Sequence, residues 1–219
     1  MSPVTEELIV TPVRGRRISP RDLDDLCEIH ADPVVMATLG GVWDRETTLQ
    51  YLAVNVEHWE RYGFGIYVLR AFDDGGLVGR AGLRHVNVGG RDEIEVAYAL
   101  RSEFWGRGLA VGVTEELVSI AAQVGLCSEL VAFTLSTNRR SWRVMEKAGF
   151  VFDCELDHGG SPHVLYRAIS WTSSRSPDTA VMLLGLLAGH AFGTSRRCRR
   201  SFDLRRRSGA GQEWRRSGC

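Results

Sequence analysis

The chain of 219 residues contains 27 Lys or Arg and 27 Asp or Glu residues, so its formal net charge is zero at pH 7. This length indicates one domain with an appended segment rather than two full domains. Five widely spaced cysteines without a Cys-x-x-Cys pair argue against a disulfide framework and against a zinc site. A domain of about 170 residues buries roughly 70% of its unfolded surface, so it can be stable without disulfides or a bound metal.

The cysteines and the first residues also indicate a compartment. An odd number of cysteines fits a reducing environment, and the N-terminus has acidic residues rather than a basic segment followed by an apolar stretch. No signal peptide is therefore expected, and we predict a cytoplasmic protein.

Two helices and four strands are predicted in the first hundred residues. Residues 8–13 predict a first strand, and Ser19-Pro20 has the cap and early proline of a helix start. Residues 47–62 predict a second helix because four apolar residues share one face: Leu49, Leu52, Val56 and Trp59. Apolar runs separated by glycine-containing turns then predict antiparallel strands over residues 64–71, 77–86 and 93–100.

The following 70 residues predict two further helices and three further strands. The helices follow Gly108 and Asn138, and the strands cover residues 130–135, 150–156 and 164–169. A strand meander followed by strand-helix-strand-helix is typical of an α+β fold. In such an order the strand ending at Leu100 and the strand beginning at Leu130 are expected to be parallel neighbours.

A glycine-rich turn, Phe104-Trp105-Gly106-Arg107-Gly108-Leu109-Ala110, separates the strand ending at Leu100 from its helix. Gly106 and Gly108 lack side chains where the backbone can approach a ligand, and the helix begins with N–H groups that have no internal partner. A diphosphate there would gain charge-assisted hydrogen bonds and a helix-dipole contribution of about 0.3–1 kcal/mol. Arg107 could add a cation at the mouth.

Two other interpretations of this turn remain. A tight turn without a ligand is equally consistent with the motif taken alone. A dinucleotide-binding motif is the second alternative, because Gly106, Gly108 and Gly112 have related spacing and Glu129 follows about 20 residues later. Residues 101–105 intervene before the first glycine, however, and Glu129 begins the second strand rather than ending it. Both features argue against the dinucleotide motif.

Three sequence blocks resemble the GNAT superfamily of N-acetyltransferases, and within it the ribosomal-protein serine and alanine N-terminal acetyltransferases. The blocks are EVAYAL at residues 95–100, FWGRGLA at residues 104–110 and NRRSWRVMEKAGF at residues 138–150. The resemblance implies a GNAT-like mixed, mostly antiparallel sheet flanked by helices, with a splayed parallel strand pair at the coenzyme site. We therefore predict a GNAT acetyltransferase domain at residues 1–170.

The resemblance implies acetyl-CoA (acetyl-coenzyme A) as co-substrate and no metal. The implied coenzyme contacts are the end of the splayed strand, the glycine-rich turn and the start of the later helix: Ala99, Leu100, Arg101, Gly106, Arg107, Gly108, Leu109, Ala110 and Asn138. Asn138 could equally serve only as the cap of its helix.

The implied reaction is direct attack of an amine on the acetyl thioester. By resemblance the carboxylate of Glu95 points into the acceptor cleft and is the candidate base, acting directly or through water. Its alternative role is that of a strand-surface carboxylate. Ser141, one helical turn from Asn138, is the candidate acid for the leaving thiolate. Tyr98 lies three positions from Glu95 and so on the opposite strand face, which predicts a core residue.

Other aromatic and histidine residues receive weaker assignments. Trp43, Trp59 and Phe64 could line the acceptor cleft, but core packing is the preferred prediction. Four histidines have no metal-ligand spacing and receive no role: His30, His85, His158 and His163.

The acceptor is expected to be an amine of low pKa. At pH 7, freeing an α-amine of pKa about 7.8 costs about 1 kcal/mol, whereas freeing a lysine of pKa about 10.4 costs about 4.6 kcal/mol. A single carboxylate as base is better suited to an α-amine than to a lysine. This favours a protein N-terminus as the acceptor, with small-molecule amines as the alternative. We expect a monomer or a homodimer.

Residues 171–219 contain ten arginines and three acidic residues, against 17 basic and 24 acidic residues before them. The apolar stretch at residues 181–192 would span about 18 Å as a helix, too short for a hydrocarbon core of about 30 Å, so no membrane span is predicted. We predict a disordered, Arg-rich extension, with nucleic-acid contact or an interfacial helix as alternatives. A GNAT-like module that binds coenzyme or RNA without catalysis is the alternative function.

Overall fold

A computed structural model of the protein describes residues 4–169. The strands in this range are β1 (Glu7–Val10), β2 (Val13–Arg17), β3 (Ile66–Ala71), β4 (Leu77–Val88), β5 (Arg91–Leu100), β6 (Glu129–Leu135), β7 (Val151–His158) and β8 (Ser161–Ile169). The α-helices in it are α1 (Leu23–Ala31), α2 (Pro33–Met36), α3 (Arg45–Tyr62), α4 (Leu109–Gln123) and α5 (Arg139–Lys147). The predicted extension at residues 171–219, including its apolar stretch, lies outside the described residues.

All eight strands belong to one sheet with the order β1-β2-β3-β4-β5-β6-β8-β7. Neighbouring strands are antiparallel except β5 and β6, which are parallel. The predicted α+β fold with one parallel pair is therefore confirmed. The pair arises because α4 carries the chain from the end of β5 back to the start of β6, as strand-helix-strand connections do.

The first predicted strand is wrong in extent, because the chain reverses within it. Val10 pairs with Val13, so Thr11-Pro12 forms the turn of a hairpin and a second strand, β2, follows. The turn contains no glycine, and β2 is rich in arginine, so its apolar alternation is weak. Gly15 occupies an inward position of β2, where a Cβ would lie 2.9 Å from Leu69.

The helix predicted over residues 47–62 is confirmed as α3. Its start is capped by Asp44, whose carboxylate accepts the N–H of Thr47 at 2.8 Å. Leu52 and Trp59 are buried as predicted, whereas Leu49 is half exposed. The rest of the buried face consists of polar and aromatic residues, which the apolar pattern did not predict: Thr48, Tyr51 and Asn55.

The helix α4 lies against the sheet through a side that is almost entirely apolar. Val113, Leu117 and Ala121 on this side are fully buried. A Cβ at Gly112 would lie 3.1 Å from Cγ1 of Val10, so a glycine there allows α4 to approach β1 closely. None of the helices within residues 4–169 combines the length and the apolar character that a membrane crossing requires.

Candidate active site

The strands β5 and β6 pair at one position only, Glu95 with Val131, and diverge beyond it. Because the pairing stops there, the backbone of β5 has no strand partner on its β6 side for the rest of its length. Backbone N–H and C=O groups that would normally bond to a neighbouring strand are thus free to bind a ligand along one edge of a gap. A splayed parallel pair was predicted, and the structure confirms it.

The backbone groups of β5 that face the gap belong only partly to the predicted residues, Ala99, Leu100 and Arg101. The N–H of Arg101 donates to the carbonyl of Val78 at 2.9 Å, so its predicted availability is wrong. Bonding direction alternates along an antiparallel strand, so Ala99 also faces β4 and the backbones of Tyr98 and Leu100 face the gap. The carbonyl of Leu100 accepts the indole N–H of Trp105 at 2.8 Å, which leaves its own N–H directed into the gap.

A cleft of about 1290 Å³ occupies this gap. It is lined by β5, the glycine-rich turn, β6, the first turns of α5 and the loop before α3. Most of the predicted site residues line it: Glu95, Ala99, Leu100, Gly106, Gly108, Leu109, Ala110, Asn138 and Ser141. Arg101 and Arg107 do not. Arg101 forms ion pairs with Glu28 and Glu103 at 3.2 and 2.9 Å.

The glycine-rich turn has the backbone conformation that an anion cradle requires. Gly106 and Gly108 have φ angles of 76° and 79°, and α4 begins directly after Gly108. The first intrahelical bond runs from the N–H of Gly112 to the carbonyl of Gly108, so the preceding three N–H groups, of residues 109–111, have no helical partner. Leu109 and Ala110 thus offer donors to the cleft.

The cation next to this turn comes from α5 rather than from the turn itself. Arg107 turns to the ring of Phe104, with 5.5 Å between guanidinium carbon and ring centroid. Arg140 lines the cleft and stacks 4.9 Å from the ring of Trp105. Arg140 was not predicted as a site residue, because only the fold brings the start of α5 beside the turn.

Glu95 is the only carboxylate that lines the cleft in the part of the chain that is described. Its residue is 5% exposed, so the alternative role as a surface carboxylate is wrong. One carboxylate oxygen accepts a hydrogen bond from Nε of Arg84 at 2.7 Å, across the β4–β5 pair. The negative charge of Glu95 raises the pKa of the Arg84 guanidinium. Glu95 and Arg84 therefore form an ion pair in the lining of the cleft.

Tyr98 and Ser141 meet across the cleft. Their hydroxyl oxygens lie 2.7 Å apart, and both residues line the cleft. Burial raises the pKa of Tyr98 to about 12, so it is a neutral phenol at physiological pH. The prediction of a purely core role for Tyr98 is wrong. The gap passes between the strands, so residues from both faces of β5 reach it, and strand alternation no longer separates Tyr98 from Glu95.

Asn138 connects three elements around the start of α5. Its side-chain oxygen accepts the N–H of Ser141 at 3.2 Å, which confirms the capping role. Its amide nitrogen donates to the hydroxyls of Thr38 and Thr134, each at 3.0 Å. These bonds tie α5 to β6 and to the loop before α3, and they hold Ser141 in place. A coenzyme contact by Asn138 stays a prediction.

Aromatic and histidine side chains also line the cleft. Trp43 lines the cleft, so its predicted core role is incomplete, whereas Trp59 and Phe64 are buried core residues as predicted. His158 and His163, to which no role was assigned, also line the cleft. Burial lowers the pKa of His158, which favours a neutral imidazole there. Within residues 4–169 no group of three or more His, Cys, Asp or Glu side chains is arranged to hold a metal ion.

The splayed parallel pair, the glycine-rich helix start and the intervening cleft define a protein of the GNAT fold. A family model described as "Acetyltransferase (GNAT) domain" matches residues 14–151, which is more than half of the chain. The chain belongs to the GNAT acetyltransferase family.

Several known proteins are similar over most of their length. The Bacillus subtilis (strain 168) protein YkkB is 22% identical over 166 residues, 75% of this chain and 96% of YkkB. The structure of an acetyltransferase from Agrobacterium tumefaciens strain C58 has a TM-score of 0.65 at 21% identity, covering 75% of this chain and 94% of that one.

Two similar structures contain coenzyme A. RimL, a ribosomal L7/L12 α-N-protein acetyltransferase, has a TM-score of 0.62 at 15% identity, covering 77% of this chain and 98% of RimL. The aminoglycoside acetyltransferase AAC(6')-Ib has a TM-score of 0.60 at 20% identity, covering 72% of this chain and 94% of that one. At these identities the structures demonstrate a shared fold.

Proposed function

We propose that the protein transfers the acetyl group of acetyl-CoA to an amine, and that this amine is a protein N-terminus. The observation that carries the proposal is the gap between β5 and β6, which joins free backbone groups at Tyr98 and Leu100 to the free helix donors after Gly108. Amides of an extended pantetheine arm can pair with the backbone groups of Tyr98 and Leu100. A diphosphate can bind the helix N–H groups after Gly108.

The coenzyme residues follow from this arrangement. The backbone of Leu100, together with Tyr98, takes the place of the predicted Ala99 and Arg101 groups as the strand edge. Gly106 and Gly108 allow close approach, and Leu109 and Ala110 donate their N–H groups. Arg140 supplies the positive charge that was predicted from Arg107. Asn138 orients α5 through the bonds of its side chain to Thr38 and Thr134, and its contact with the coenzyme remains part of the proposal.

Glu95 and Ser141 are proposed to carry the two proton transfers. Bound acetyl-CoA supplies the thioester carbon that the amine attacks. Glu95 accepts a proton from the attacking nitrogen, directly or through one water, as the C–N bond forms. Ser141 gives a proton to the sulfur as the C–S bond breaks, and Tyr98, 2.7 Å away, is placed to restore it.

The ion pair of Glu95 with Arg84 bears on the acceptor. Glu95 is bonded to Arg84 and is the only carboxylate among the described residues that line the cleft, so the proposal favours an amine that loses its proton easily. An α-amine meets this requirement at a cost of about 1 kcal/mol at pH 7, and a lysine side chain at about 4.6 kcal/mol. The name of RimL refers to a protein α-amine and that of AAC(6')-Ib to an aminoglycoside. We propose a protein α-amine as the acceptor, and small-molecule amines are the alternative class.

The proposal is tested with the full chain in two steps. Calorimetry first measures binding of acetyl-CoA. Release of free thiol is then followed with peptides that have a free N-terminus, with the same peptides blocked at the N-terminus but containing lysine, and with small amines. We expect turnover with the free N-termini. Binding without thiol release would instead indicate a non-catalytic coenzyme-binding module, and turnover confined to small amines would replace the acceptor class.

A further inference from the structure

Arg80 of β4 is a buried cation at the cleft. Its residue is 6% exposed and lines the cleft. Its Nε–H donates to Nε2 of His30 at 3.0 Å, and no carboxylate of residues 4–169 lies within 4.0 Å of the guanidinium. Burial lowers the pKa of Arg80, as expected for a charge removed from water without a direct counter-ion. Such a charge is unfavourable unless an anion reaches it.

His30 does not compensate this charge. Its Nε2 accepts the hydrogen bond from Arg80, and its Nδ1 lies 3.2 Å from the hydroxyl of Thr48. Burial, together with the charge of Arg80, lowers the pKa of His30 to about 3. The imidazole is therefore neutral, and it positions the guanidinium without cancelling its charge.

Glu95 compensates Arg80 only in part, because it attracts the guanidinium without forming an ion pair with it. Its carboxylate is bonded to Arg84, whose side chain is 34% exposed. The cleft is thus lined here by two guanidinium groups and one carboxylate, which leaves an excess charge of one. Arg80, which has no carboxylate ion pair among the described residues, is the more deeply buried of the two.

Tyr51 provides a second, independent sign of a missing partner. Its residue is 5% exposed and lines the cleft, and its hydroxyl is buried with no hydrogen-bond partner. The guanidinium carbon of Arg80 lies 4.5 Å from the centroid of the Tyr51 ring, so the two side chains are stacked. A buried, unsatisfied hydroxyl is unfavourable and marks a place where a hydrogen-bond acceptor fits.

We infer that the acceptor amine carries a carboxylate, and that Arg80 and the hydroxyl of Tyr51 bind it. This inference rests on the proposed acetyltransferase function and names its substrate class. A carboxylate accepts N–H bonds from a guanidinium and an O–H bond from a phenol at the same time. It would also cancel the excess charge. The carboxylate comes either from an Asp or Glu side chain next to the acceptor N-terminus or from the α-carboxylate of a free amino acid.

Matched acceptors measure the preference for a carboxylate. One pair is Ser-Glu-Ala and Ser-Gln-Ala, both amidated at the C-terminus, and the other is a free amino acid and its amide. We expect kcat/KM to favour the carboxylate member of one pair by about tenfold or more, as for a hydrogen bond to a charged group. The pair that shows the preference identifies the source of the carboxylate.

Variants assign the preference to these two residues. Arg80→Gln should bring the ratio close to one, and Tyr51→Phe should reduce it severalfold without removing any hydrogen bond of the free protein. Trp142→Phe is the matched control: its indole N–H is the other buried, unpartnered polar atom of the described chain, and it does not line the cleft. This control should keep the wild-type ratio. The affinity for acetyl-CoA should be unchanged in all three variants.

The outcomes separate the inference from the proposed function. Equal turnover of both members in both pairs overturns the inference and leaves the acetyltransferase intact. If no acceptor is acetylated, calorimetry with the same pairs still decides, because a carboxylate site binds the acidic member more tightly in wild type than in Arg80→Gln. Equal binding there overturns the inference as well. A preference that survives in Arg80→Gln also overturns it, since the carboxylate would then bind elsewhere.

Discussion

The hydroxyl of Tyr98 on β5 lies 2.7 Å from that of Ser141 on α5, although the two residues are 43 positions apart in the chain. Both residues line the cleft, so the contact joins β5 to α5 there. It also explains why Ser141 has a fixed orientation, because Asn138 holds its backbone N–H while Tyr98 holds its side chain. The proposed function assigns these two hydroxyl groups to protonation of the leaving thiolate.

Removing these hydroxyls should slow the chemical step. Ser141→Ala should lower kcat about 100-fold and Tyr98→Phe about tenfold, as is typical for general acid catalysis, with little change in acetyl-CoA affinity. The double variant should be no slower than Ser141→Ala, because Tyr98 acts through Ser141. Because the pKa of Tyr98 is about 12, its ionisation should not appear in the pH–rate profile below about pH 10. Additive losses of activity would contradict the relay.

Replacing the carboxylate of Glu95 should reduce activity more than stability. Glu95→Gln should lower kcat by about 10²–10³-fold, and the free energy of unfolding by about 1–2 kcal/mol, since Arg84 loses its charged partner but keeps some solvent contact. Glu93→Gln is a control on the same strand, because Glu93 pairs with Arg167 at 3.1 Å away from the cleft. Glu93→Gln should lose less stability, because Arg167 keeps its ion pairs with Asp153 and Glu129, and it should retain full activity. Steady-state kinetics and denaturant unfolding provide both measurements.

The two glycines that flank α4 offer a matched test of the coenzyme site. Gly108 and Gly125 have φ angles of 79° and 64°, and no atom lies within 4 Å of a Cβ added at either. Substitution by alanine should therefore cost about 1–2 kcal/mol of stability at each position, the price of a left-handed residue. Only Gly108→Ala should weaken acetyl-CoA binding, by calorimetry, because only Gly108 precedes the helix donors. Equal affinities in both variants would place the diphosphate elsewhere.

The low pKa of His30 makes stability depend on pH. In the folded state this pKa is about 3, whereas the unfolded value is about 6.5. Between these values the unfolded chain binds the extra proton, so the contribution of His30 falls as the pH decreases from about 6.5 towards 3, by at most about 1.4 kcal/mol per pH unit. His30→Gln lacks this titration. Denaturant unfolding should show the stability difference between wild type and variant narrowing as the pH falls; a constant difference would contradict the assignment.

Deletion of residues 171–219 tests the domain boundary. Elements within residues 4–169 form the cleft, and we propose that residues 1–170 contain the complete catalytic domain. Acetyl-CoA affinity and kcat with a peptide acceptor should therefore be unchanged in the truncated protein. A loss of peptide turnover with intact coenzyme binding would assign the Arg-rich segment a part in acceptor recognition.

Several elements of the fold were predictable because their signals are local. Helix α3 is marked by an apolar repeat, and the start of α4 is marked by glycine-rich sequence. The parallel arrangement of β5 and β6 followed from a helix of suitable length between them. The strand β2 was missed because its outward positions are arginines and one inward position is Gly15, so its burial depends on β1 and β3 rather than on its own composition.

Sequence alone determined that a glycine-rich helix start follows a strand and that Asn138 precedes Ser141 by one turn, because such patterns involve residues a few positions apart. The tertiary structure decided which groups face the cleft. Strand alternation placed Tyr98 away from Glu95, yet the divergence of β5 from β6 exposes both. The lone charge of Arg80 likewise has no signature in sequence, since whether an arginine is paired depends on carboxylates that only folding brings near it or keeps away.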